Sequence, residues 1–155
     1  MKPVDGFVRV FHWVAPVLMP LLVIVGRELL GAPSAWVVMI AVFSAPVILV
    51  AMYVLPVITL FDLDAKAARR ARFGYSVASY VLWVSFVGIM LTMADGAGEV
   101  PVGSVLTTWG VPMPVSSALF VAFLVVGVTA YATALVLTII GVARSRSPQT
   151  APVAR

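Results

Sequence analysis

Four long apolar runs, at residues 10–26, 35–61, 73–93 and 116–142, dominate this chain and decide which solvent it folds in. Spanning a hydrocarbon core about 30 Å thick takes about 20 helical residues, and each run reaches or approaches that length. Hydrophobic residues make up 63% of the chain and charged residues 10%, against about 25% charge in a soluble domain. Too little polar surface remains to coat a globule in water. The sequence therefore predicts an all-α membrane protein, a four-transmembrane-helix bundle. It forms one domain over residues 1–143, followed by a polar, proline-containing tail, 144–155, expected to be disordered. Lys2 and Arg9 ahead of the first run also suit a signal peptide. No pair of small residues marks a cleavage site beyond it, since Ala32 would pair with Leu30 and Ala35 with Pro33. The run is accordingly read as an uncleaved span.

The loops between the runs alternate in charge. With four spans, Lys2 and Arg9, the cluster Lys66, Arg69, Arg70 and Arg72, and the terminal Arg144, Arg146 and Arg155 fall on one side. The other side carries Arg27 with Glu28, Asp95 and Glu99. Cytoplasmic loops hold the excess of Lys and Arg, so both termini and the basic loop are expected in the cytoplasm. Arg in place of Lys, with abundant Ala and Val, points to a bacterial source and hence to the cytoplasmic (inner) membrane. The basic residues are split among short clusters beside the spans. That pattern suits anionic lipid headgroups or a cytoplasmic protein docking on Lys66, Arg69, Arg70 and Arg72, and does not suit nucleic acid.

Lipid tails give helices no hydrophobic reason to pair, so close contact along faces of small residues does that work. The third run shows such a face in Gly74, Ala78, Ser85 and Gly88, and the fourth in Gly127, Ala130, Ala134 and Gly141. These two spans are expected to pack on each other or on a partner. Pro16 and Pro20 in the first run, and Pro46 and Pro56 in the second, each remove a backbone donor and predict bends. The hydroxyls of Thr129 and Thr133 are expected to bond back to a carbonyl one turn earlier. Residues 94–115 hold too many Gly and Pro for a regular helix, and are read as a capping loop in which Val105, Leu106 and Trp109 seat a short turn on lipid.

Groups able to do chemistry are few. The absence of Cys excludes thiolate metal sites and cysteine nucleophiles. No Asp, Glu, Lys or Arg lies deep in a run, where ion-coupled transport usually places one. Arg27 and Glu28 read as solvated end residues, and Asp62 and Asp64 as local balance for Lys66 and Arg69. Phosphate-binding, zinc and nucleophile motifs are missing, and the segment 95–99 reads as a flexible glycine turn.

The sharpest local pattern is Arg9-Val10-Phe11-His12-Trp13. It resembles the R-x-x-H-W opening of the first helix in membrane cytochromes b of the b561 and hydrogenase type. The resemblance implies a haem held by His12, with Arg9 near a propionate. Those families use further histidines on other helices, whereas His12 is the single histidine here, so a second axial histidine would have to come from another copy. The reading of the residues themselves is an interfacial histidine beside an aromatic-belt Trp13, with no cofactor. The function expected is that of a small non-enzymatic accessory or structural subunit, packing with partner membrane proteins in a homo-oligomer or larger complex. The alternatives are a homo-oligomeric channel or small-solute transporter, and a haem-binding electron carrier.

Overall fold

The computed structural model describes residues 4–32, 36–63, 73–97 and 100–146. Helix α1 runs Val4–Leu29, α2 Trp36–Thr59 and α3 Phe73–Thr92. A hairpin of β1, Asp95–Ala97, and β2, Val100–Val102, follows, then a single helical turn α4, Val105–Thr108, and the long α5, Met113–Arg146. Four of these helices are long and apolar enough to cross a membrane. The fold is therefore the four-helix membrane bundle that the apolar runs predict.

Two spans outgrow their runs. The run ends where charge begins, but the backbone goes on turning. Helix α1 continues back past Arg9 to Val4 and reaches 26 residues, about 39 Å at 1.5 Å per residue. Helix α5 begins at Met113-Pro114, where proline's missing donor is harmless in a first turn. It continues through Arg144, Ser145 and Arg146 for 34 residues in all. It thus enters the segment expected to be a disordered tail; residues 147–155 lie outside the described residues. Both α1 and α2 remain continuous through their paired prolines.

Burial runs opposite to hydropathy. The most apolar helix, α2, has a mean hydropathy of 2.6 over its span and only 11% of its most apolar stretch buried. The least apolar span, α3, stands at 1.6 with 50% buried. In water the order would reverse, because burial of apolar surface drives folding there. Lipid as solvent removes that drive and leaves the centre of the bundle to small and polar residues that pack closely.

Contacts between α1 and α2, α1 and α3, α3 and α5, and α2 and α5 place the helices in the cyclic order α1–α2–α5–α3. The α3–α5 contact is the most extensive. A Cβ on Gly88 would run into the ring of Phe123, and one on Gly127 would lie 3.1 Å from Ser85 Cβ. The two backbones approach as closely as glycine permits. Ala78, Ser85, Gly88, Gly127, Ala130, Ala134 and Gly141 are all buried, while Gly74 is exposed near one end, beside Leu137.

Candidate functional site

Helix α1 is polar at two depths, and each depth forms a cluster. Its buried residues Val8, His12, Ala15, Pro16, Met19, Gly26 and Arg27 recur every three or four positions, which puts them on one face. That face meets α2 and α3.

At the hairpin end, Arg27 is fully buried, which corrects the expectation of a solvated end residue. It donates a hydrogen bond to the carbonyl of Met93, just beyond α3, and the Asp95 carboxylate is the charge that acts on it. Asp95 is itself 6% exposed. Its Oδ1 accepts from the backbone N–H of Trp36 at 3.1 Å, and its Oδ2 from that of Val37 at 3.2 Å. These are otherwise orphaned donors at the start of α2. The α1–α2 turn is fixed by Gly31 at φ +82°, with Ala32 N–H bonded to Arg27 O and Gly31 N–H to Glu28 O. This is a Schellman ending, in which glycine takes the left-handed position. Beside it, Ser104 Oγ caps α4 and lies 2.6 Å from Ser116 Oγ, which donates to Thr92 O at 3.0 Å. The loop expected to lie on lipid is therefore stitched into the bundle. Val105 is fully buried, and Trp109 is the residue left exposed.

Toward the N-terminal end, His12 is 5% exposed, its ring packed against Tyr75 and Trp83 of α3. The Tyr75 hydroxyl lies 2.7 Å from His12 Nε2. Phe7, Phe11, Tyr80 and Trp83 form a ring-packed wall beside the pair, with the Phe11 and Trp83 centroids 4.6 Å apart and nearly perpendicular. These residues do not fit a haem. The nitrogen an iron would need is engaged by Tyr75, and aromatic side chains fill the space beside the ring.

Between these depths all four spans line a partly open cavity of about 470 Å³. Its polar contributors are spoken for: Ser44 Oγ donates to Ala41 O, Ser85 Oγ to Val81 O and Tyr131 OH to Ala51 O. Thr129 and Thr133 likewise bond back within α5. The cavity thus presents hydrocarbon to its contents, whereas a hydrated path would need those hydroxyls turned inward. Among the described residues no group of three His, Cys, Asp or Glu side chains is placed to hold a metal. Lys66, Arg69, Arg70 and Arg72 lie outside the described residues. Asp62, at the end of α2, is buried.

The sequence reading missed Asp95, Tyr75 and Trp83. The signal for the first was opposite charge at matching depth: Arg27 closes the first span and Asp95 follows the third. For Tyr75 it was a polar aromatic early in α3, entering from the same side as His12. Against protein-family models, curated proteins and solved structures the chain finds no match.

Proposed function

We propose that this protein is a small non-enzymatic subunit of a membrane assembly, associating through the outer face of α5 with a partner span or with another copy of itself. The observation that carries the reading is that α5 has two separate faces of small residues. Gly127, Ala130, Ala134, Thr138 and Gly141 are buried on the α3 side. Ala118, Ala122, Thr129 and Thr133 are exposed, about a third of a turn away. The threonine hydroxyls bond back to Val125 O and Thr129 O and leave methyl groups outward. A helix meeting only lipid has no need of a second small-residue face, whereas a helix docking a neighbour does. In this reading both termini and the basic loop face the cytoplasm of a bacterial cell, an orientation that the alternation of charge between the loops supports. There Lys66, Arg69, Arg70 and Arg72 hold anionic headgroups or a cytoplasmic partner.

A photoreactive residue at Ala122 or Thr133, and a control at Val47 on exposed α2, test this in native membranes. The expected result is a protein adduct from the α5 positions and lipid adducts alone from Val47. Lipid adducts alone from all three positions, with a solitary monomer in nanodiscs, would sink the proposal.

A further inference from the structure

The cavity between the spans is long and narrow. Its α2 wall is a stripe of Val37, Ala41, Ser44, Ile48 and Ala51, at alternating steps of four and three that keep to one helix face. The lining extends over residues 37–52 of α2, a rise of about 22 Å, and over 82–93 of α3 and 120–131 of α5, about 16 Å each. Spread over that length, about 470 Å³ leaves a section of about 20–30 Å², a slot about 5 Å wide. Carbon atoms in contact lie about 4 Å apart, so the slot takes one hydrocarbon chain in single file. A sterol, or a second chain alongside, would not fit.

The chemistry of the walls selects hydrocarbon. Apolar side chains make up most of the lining, and no charged residue is among those described in it. Ser44, Ser85 and Tyr131 direct their hydroxyls to backbone carbonyls. A polar solute, or a lipid headgroup drawn inside, would lose its hydration with nothing to replace it. An alkyl chain instead gives the apolar walls dispersion contacts at no polar cost. Depth supplies the source of that chain. Val37 is the second residue of α2 and Met93 directly follows α3, so the slot starts at the hairpin end. Trp36 stands exposed there, at the level where indoles seat themselves among headgroups. From that level the slot runs inward for the depth of one leaflet or somewhat more, a leaflet being about half of the 30 Å core.

We propose that one acyl chain of a phospholipid in the hairpin-side leaflet occupies this slot, its headgroup remaining in the interface. The chain completes the packing between α2, the least buried span, and the other three. A component of the bilayer thereby becomes part of the core, independently of any partner on the outer face of α5.

The probe is a phospholipid with a diazirine midway along one acyl chain, mixed into phosphatidylethanolamine–phosphatidylglycerol nanodiscs that hold the full chain. After irradiation, adducts are expected on Phe86 and Ile89, which line the slot from α3. They are expected as well on Val84 and Val87, exposed on the same helix. Ala41→Phe and Ser44→Leu each plug the slot from α2. Each should cut labelling of Phe86 and Ile89 severalfold and leave Val84 and Val87 unchanged, which also reports that the bundle is intact. Adducts on Val84 and Val87 alone in the unaltered protein would overturn the proposal. So would inner labelling that survives both substitutions, or extraction of a different apolar molecule, one per chain, from the purified protein.

Discussion

At the hairpin end of α1 the polar side chain is a charge, and at the other end it is a neutral ring; the two are held by different means. Arg27 is met by a carbonyl from beyond α3 and by a carboxylate that also caps α2. One residue, Asp95, thereby joins three elements. His12 is met by a single hydroxyl from α3 and is otherwise enclosed by rings. A buried charge is tolerable only when paired and hydrogen-bonded, because desolvation costs several kcal/mol per ion. A buried neutral imidazole asks for far less. The comparison teaches that the charged end is built to be rigid, since every partner lost there strands a charge. The aromatic end relies on packing, with hydrogen bonds adding a smaller share.

The largest effect should come from Asp95→Ala. It removes the opposing charge from Arg27 and two acceptor contacts from the start of α2, at a cost of about 3–5 kcal/mol, read from unfolding in mixed micelles. A cost below about 1 kcal/mol would erase the contrast between the ends. Tyr75→Phe keeps the ring and removes the hydroxyl, leaving His12 Nε2 unanswered, and should cost about 1–3 kcal/mol by the same titration. Ser104→Ala breaks the cap of α4 and the bond to Ser116. About 1 kcal/mol is expected, seen first as faster amide exchange at Thr107. The smallest effect is the most discriminating. Arg27 and His12 stand fifteen residues apart on α1, about 22 Å, so Asp95→Ala and Tyr75→Phe should add to within about 0.5 kcal/mol. Strong coupling would mean that α1 transmits strain between its ends as a rigid rod.

The spans were legible in the sequence because hydropathy over 20 residues is a one-dimensional property. The extra turns of α1 and α5 were not, because a charged residue such as Arg9 or Arg144 ends an apolar run without ending a helix. Arg27 was misread for a related reason. Beside Glu28 it looks like an end residue facing water, and its carbonyl and carboxylate partners come from 66 and 68 positions along the chain. The hairpin at 95–102 was hidden by its glycines and proline, which read as turn. His12 was noticed for its neighbours in sequence, whereas what defines it is Tyr75 and Trp83 on another span.

Helix α2 is fixed near one end by the Asp95 carboxylate and farther along by the Tyr131 hydroxyl at Ala51. Between them Ile40, Ala41, Ser44 and Ile48 of α2 line the cavity. The most oil-facing element of the molecule thus also walls its interior, and a further bond, from the Tyr53 hydroxyl to Trp13 O, ties it to α1. A change in bilayer thickness, which acts on helices by tilting them, should therefore bear on the cavity lining through α2.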